Sequence, residues 1–426
     1  MYLLYSVVLA ALFVLSLPLY AWKGRATGKY LQTFRERMGR LPPSLNAGRE
    51  RSIWIHAVSV GEVLAARTLV KPLRERFPGH RLFVSTTTVT GNGVARKSLP
   101  DVDGLFFAPF DWVRPVRRAL DALNPALLVL VETELWPNLI HEARRRGTRV
   151  AVVNGRISPR SFPRYRRVRA LLKRMLGEVD LFLMQGEAHA VRVREMGAPP
   201  DRVRVLGNLK YDALEEAMAS ESLAESLGSV IGDGSRPLWV AGSPVEGEEE
   251  MVLRAYRQVR DRVPQARLLI APRHPERFAA VPAIVEAAGL RCLRRTSLRP
   301  GTWPDGHVVV LDTLGELARV YPLATVVFVG GSLVPRGGHN ILEAAVAGKP
   351  VVVGPHMENF QEIADEFVGA GAVVQVPSAD ALAAEVSALL TDAGRRAALG
   401  EKARLLVYRN RGALRATVDA LAALVA

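Results

Sequence analysis

A chain of 426 residues, 49% hydrophobic and 23% charged, has the balance of a folded globular protein and excludes a disordered or fibrous one. Lys+Arg 57 against Asp+Glu 42 gives a formal net charge of +15, which favours anionic partners such as nucleic acid, acidic lipid or a phosphorylated substrate. The single cysteine, Cys292, excludes intramolecular disulfides and cysteine-cluster metal sites and points to a reducing compartment; Cys292 itself reads as a small core residue.

Residues 1–22 (MYLLYSVVLAALFVLSLPLYAW) carry no charged side chain and are long enough to cross a hydrocarbon core of about 30 Å. Tyr2, Tyr5, Tyr20 and Trp22 stand near the two ends, and Lys23, Arg25, Lys29, Arg35, Arg37 and Arg40 follow. A cleavable signal peptide places its basic residues before the apolar run. The segment therefore reads as a membrane anchor with the body on the cytoplasmic side. The alternative is a helix buried in the core or lying in the interface, which Pro18 favours.

Beyond the anchor, short Val/Ile/Leu-rich runs alternate with longer amphipathic stretches, the pattern of an α/β fold with buried parallel sheets. Strands are predicted at Ile53–Ala57, Leu82–Ser85, Leu105–Ala108, Ala126–Val131, Val150–Val153, Leu181–Met184 and Val203–Leu206. A second series runs Leu238–Ala241, Arg267–Ala271, Val308–Leu311, Val326–Val329, Val351–Val353 and Ala372–Gln375. Residues 213–236 are acidic and Ser/Gly-bearing and read as a linker. Two Rossmann-like domains follow, over 23–212 and 237–406, with a closing helix over 407–426.

Ligands of open parallel sheets sit beyond the carboxyl ends of the strands. In the first half, Gly61 and Glu62 follow the first strand, so Glu62 is either a general base at the sheet mouth or an acidic residue favoured at a helix N-terminus. Glu132 and Glu134 end a very apolar strand, where two close carboxylates need a cation, a donor or a substrate hydroxyl to answer them; equally, one caps the next helix. Arg156 and Lys210 present cations at the same edge and suit a carboxylate or phosphate, though each singly reads as a surface charge.

In the second half Gly242 and Ser243, Pro272 and Arg273, Leu314-Gly315-Glu316, and the run Gly330-Gly331-Ser332 through Gly338, His339 and Asn340 all fall at strand ends. Glycines before a helix let backbone N–H groups approach a phosphate, and Glu343 is placed to meet ribose hydroxyls. Four such loops in one half point to a nucleotide site. A P-loop, a dinucleotide fingerprint and H-E-x-x-H are all missing from the sequence. Asp101-Val102-Asp103 reads as a solvated loop, and the basic stretch Arg164–Arg174 has no interleaved aromatic platform for nucleic acid and suits acidic lipid headgroups.

Six segments, His56–Glu62 (HAVSVGE), Glu132–Asn138 (ETELWPN), Gly207–Asp212 (GNLKYD), Pro272–Arg277 (PRHPER), Gly330–Glu343 (GGSLVPRGGHNILE) and Gly354–Ile363 (GPHMENFQEI), together resemble the bacterial Kdo transferases. These are membrane-anchored enzymes that add 3-deoxy-D-manno-octulosonic acid (Kdo) to a lipid A precursor. The resemblance implies the two-domain GT-B arrangement, with the acceptor on the N-terminal half and CMP-Kdo on the C-terminal half. It makes Glu62 the base, and Glu132 and Lys210 the groups that steady the transition state. Pro272, Arg273, Leu314, Gly315, Glu316, Asn340, Ile341, Leu342 and Glu343 would hold CMP, and no cofactor, metal or nucleic acid is implied. Departures stand at Ser243-Pro244-Val245-Glu246, where the family has Ser-Thr-His-Glu, at Ile341 and Ala344 in place of prolines, and at Met357-Glu358 in place of Thr-Phe. The expected reaction is inverting transfer of Kdo to a tetra-acylated disaccharide bisphosphate; rivals are a GT-B enzyme using a UDP-sugar and a non-catalytic, membrane-tethered nucleotide- or nucleic-acid-binding protein.

Overall fold

The computed structural model describes residues 2–11, 13, 15, 29–212, 229, 231 and 236–425. It divides into one unit of residues 1–213 and 411–426 and another of residues 214–410. The predicted linker at 213–236 lies almost wholly outside the described residues, as do Lys23 and Arg25.

The first unit carries a seven-stranded parallel sheet: β1 (Ser52–His56), β2 (Arg81–Thr86), β3 (Gly104–Phe107), β4 (Pro125–Val131), β5 (Arg149–Gly155), β6 (Leu181–Met184) and β7 (Val203–Val205), in the order β3-β2-β1-β4-β5-β6-β7. Alternate side chains feed two cores. Ile53 and Ile55 of β1 join Leu127, Val129 and Val131 of β4 on one face, while Trp54 joins Leu128 and Leu130 on the other. Burial on both faces is why the middle of each of these strands is a continuous apolar run rather than an alternating one.

The second unit repeats the scheme with β8 (Leu238–Gly242), β9 (Arg267–Ala271), β10 (Arg291–Arg294), β11 (His307–Val310), β12 (Val326–Val329), β13 (Val351–Val353) and β14 (Val373–Gln375), ordered β10-β11-β9-β8-β12-β13-β14. The sequence patterning missed β10. It is an edge strand whose Arg291 and Arg294 are exposed, so it lacks the apolar run of a strand buried on both faces. Cys292, expected in the core, is half-buried on this edge.

Each sheet reverses its winding once, between β1 and β4 in the first and between β8 and β12 in the second. Such a reversal opens a crevice at the carboxyl ends of the two strands, the place where doubly wound sheets bind ligands.

After the helix Ala393–Arg409 the chain leaves the second unit. Its last helix, Ala413–Val425, packs on the helix Val60–Arg76 of the first. Asp212 fastens this return: its carboxylate accepts from the backbone N–H of Gly412 at 2.8 Å and of Leu414 at 2.9 Å.

At the N-terminus, residues 2–11 are helical. Tyr2 stacks on His141 at 3.9 Å, the Ser6 hydroxyl accepts from Asn138 at 3.0 Å, and Phe13 meets Trp112 edge-on. Among the described residues no helix is long and apolar enough to cross a membrane.

Candidate active site

Glu62 sits in the first turn of the helix Val60–Arg76, which begins directly beyond β1. Ser59 and Glu62 have the S-x-x-E spacing of a capping box, but the bonds run differently. The Ser59 hydroxyl donates to the Glu62 carboxylate at 2.7 Å, and the Val58 N–H donates to its other oxygen at 2.7 Å. Burial pushes the Glu62 carboxyl up to about 7; the Ser59 and Val58 bonds pull it down, and the charges of Glu134 and Glu132 raise it further. A carboxyl poised near neutrality beside a sheet crevice is suited to taking a proton.

The two other carboxylates belong to the facing lip. His56 of β1 pairs with Leu130 of β4, so Glu132 emerges beside the loop that carries Glu62. Its backbone is left-handed, with φ +60°, and Arg156 approaches its carboxylate at 3.6 Å. Glu134 accepts from the Trp136 indole at 2.8 Å; burial raises its pKa, the indole bond lowers it, and Glu132 raises it again. Neither glutamate caps the next helix, Pro137–Arg145. That role falls to Asp111, whose carboxylate accepts from Asn138 N at 3.1 Å and Leu139 N at 2.8 Å, although burial pushes it up to about 6.

His56, named in the sequence only as part of a motif, lies fully buried under this lip. Its Nδ1 meets Ser85 Oγ at 2.8 Å and its ring stands edge-to-face with Trp136. Burial pushes its pKa down to about 3, so it is neutral at physiological pH. Lys210 is half-buried in a loop knotted to its neighbours: its N–H donates to Asn208 Oδ1, Leu209 N–H to Asn154 Oδ1, and Asn208 to Gln185.

Strain marks both crevices. Among the described residues five non-glycine residues have left-handed backbone, and Glu132, Asn154 (φ +53°) and Ser243 (φ +58°) stand at the carboxyl ends of β4, β5 and β8. Each conformation costs about 1 kcal/mol.

In the second unit Gly242 has no room for a side chain because the Tyr321 hydroxyl would lie 2.2 Å from its Cβ. Tyr321 feels the charges of Glu343 and Arg273, and His339 feels Arg273 and His274, which with burial push its pKa down to about 4. Gly242, Arg273, His339 and Glu343 are thus brought to one crevice edge. Arg273 is exposed. Asn340 accepts from Leu342 N–H at 3.1 Å, and its amide reaches Glu343 at 3.4 Å.

Ile341 and Leu342 are wholly buried. Glu316 is paired with Arg295 at 3.1 Å, and Leu314 beside it is 74% exposed. Gly338 (φ +70°) is wedged against Met357 and the His356 carbonyl. Asp101 is exposed, as expected of a solvated loop, whereas Asp103 is half-buried, accepts from Leu82 N at 2.7 Å and pairs with Arg74 at 2.8 Å.

Residues 32–213 match a family model described as 3-deoxy-D-manno-octulosonic-acid transferase, and residues 303–406 match glycosyl transferases group 1. The 3-deoxy-D-manno-octulosonic acid transferase of Haemophilus influenzae is 34% identical, over 92% of this chain and 91% of that protein. That of Bordetella pertussis is also 34% identical, over 95% of each. The chain belongs to the Kdo transferase family. It is a glycosyltransferase, and the family resemblance read from the six motifs holds across nearly its whole length. A glycosyltransferase from Rickettsia africae, 13% identical with a TM-score of 0.56 over 88% of this chain and 98% of that one, shares the fold.

Proposed function

We propose that the enzyme transfers Kdo, with inversion, from CMP-Kdo to a hydroxyl of a lipid A precursor. The observation that carries this reading is Glu62, a buried carboxyl raised to about 7 at the winding reversal of the first sheet. As the acceptor oxygen bonds to the anomeric carbon of the donor, its proton passes to Glu62. The bond from that carbon to the CMP phosphate breaks at the same time, and the phosphate keeps the electron pair. Positive charge grows on the sugar meanwhile, which Glu132 and Glu134 suit. The departing phosphate is anionic, and the cations at the sheet edges, Lys210 and Arg273, are the groups to answer it.

The acceptor is a lipid, and the N-terminal helix supports a body held at a membrane surface. Its aromatic and hydroxyl side chains dock on the first unit, while Leu3, Leu4, Val7 and Val8 face outward with half or more of their surface exposed. That is the arrangement of a helix lying in the interface. The exposed cations of residues 164–174 suit acidic headgroups on the same account.

The test is incubation of the full chain with CMP-Kdo and the tetra-acylated lipid A precursor, with product read by mass spectrometry beside Glu62→Gln. Addition of Kdo mass by wild type alone is expected. Transfer by the variant at the wild-type rate removes Glu62 from the role, and transfer from a UDP-sugar instead changes the donor.

A further inference from the structure

The glycine-rich loop after β12 looks in sequence like a phosphate cradle, yet its backbone donors are already taken. Glu248 is wholly buried. One carboxylate oxygen accepts from Gly331 N at 2.5 Å and Val245 N at 3.2 Å, the other from Leu333 N at 2.8 Å and Ser332 N at 3.0 Å. Among the described residues no Lys, Arg or His forms an ion pair with it. The charge is answered by peptide dipoles alone, as in a backbone nest that binds an anion. Burial pushes the carboxyl up while the four N–H bonds pull it down.

What the nest holds matters for the site. Gly331 O accepts from Gly338 N at 2.8 Å, so the position of the first glycine pair sets that of the second, next to His339. Ser332 carries the order to the next strand: its hydroxyl accepts from Gly354 N at 2.9 Å, and its carbonyl accepts from His356 N at 2.9 Å. Gly330 is crowded against Pro244 and Glu248, so the two strand ends at the winding reversal close on one another through this carboxylate.

We propose that Glu248 is a positioning residue of the donor site: it fills the nest at Gly331–Leu333 in place of a donor phosphate and sets the loops that carry Gly338, His339 and the Gly354–His356 turn. This rests on the reading that the second unit binds CMP-Kdo. It follows that the phosphate is met elsewhere on the crevice edge, at Arg273 and the main chain before the helix Leu342–Val346.

Amide hydrogen exchange of the wild-type full chain tests the inference without a variant. Peptides spanning 330–334 are expected to be protected in the free enzyme and unchanged by CMP, while those spanning 338–344 gain protection. Protection of 330–334 that appears only with CMP overturns the proposal, because the nest then belongs to the phosphate. Absence of any CMP effect in the second unit overturns the donor reading and the proposal with it. Glu248→Gln gives a second readout, since its amide nitrogen brings N–H donors against backbone N–H donors. Its KM for CMP-Kdo is expected to rise tenfold or more, with kcat changed less than threefold and the cooperative unfolding transition kept. Wild-type KM in that variant, with CMP still protecting 338–344, overturns the positioning role alone.

Discussion

The Ser59 hydroxyl is bonded to the carboxylate of Glu62, not to the helix N–H that a serine at this position ordinarily caps. It thus stabilises the ionised form of the proposed base. Transfer is expected to rise with pH through about 7, where Glu62 loses its proton. Ser59→Ala removes a hydrogen bond to a charged group, so the acid limb of the profile of kcat/KM should move up by about one pH unit. An unmoved limb in this variant assigns the titration to another group.

The raised pKa of Glu62 also bears on stability. The folded protein holds this proton to a higher pH than the unfolded chain does. The contribution is therefore full below about 4.5, declines as pH rises towards 7, and stays lost above it. Glu62→Gln should match wild type at pH 4.5 and exceed it at pH 8 by up to about 3 kcal/mol in urea unfolding, while transfer falls by roughly a hundredfold or more. Equal stability at both pH values contradicts the burial account.

Asp111→Ala should cost about 1–2 kcal/mol, the loss of a helix cap, because Asn138 and Leu139 lose their acceptor. The helix it caps follows directly from Glu134 and Trp136, so the rate is expected to fall with the melting temperature. Asp111→Asn keeps an acceptor oxygen and should cost less. A variant that melts lower but transfers at the wild-type rate would separate this cap from the site.

Vesicles containing anionic lipid should sediment the full chain, less so as salt rises. The double variant Leu4→Glu with Val8→Glu removes apolar contacts worth about 1.5–3 kcal/mol each and should weaken binding at least tenfold without changing the melting temperature. Undiminished sedimentation would show that the outward face of the helix is not the contact.

Strands buried on both faces were legible because a position between two helical layers favours Val, Ile, Leu and aromatic residues, which gives a continuous apolar run. The edge strand β10, with Arg291 and Arg294, was illegible for the complementary reason. Glu62 was legible as a carboxylate one turn into a helix after a strand; its partners Ser59 and Val58 lie within four residues. The capping alternative for Glu132 and Glu134 stayed open in sequence because the residue that takes the cap, Asp111, arrives from the β3 side of the sheet. Glu248 was hidden altogether. It stands in the run Glu246-Gly247-Glu248-Glu249-Glu250, which reads as a solvated helix start, and only the fold brings residues 331–333 across more than eighty positions to surround it.

The return of the last helix to the first unit has a consequence for biosynthesis. Val418 and Leu421 lie in the same core as Val63 and Leu69, on the helix that carries Glu62. A ribosome delivers that helix early and its cover only after residues 214–410 have emerged. The half of the molecule made first is completed by residues 413–425, so a product cut short of them leaves the core face of the helix Val60–Arg76 uncovered.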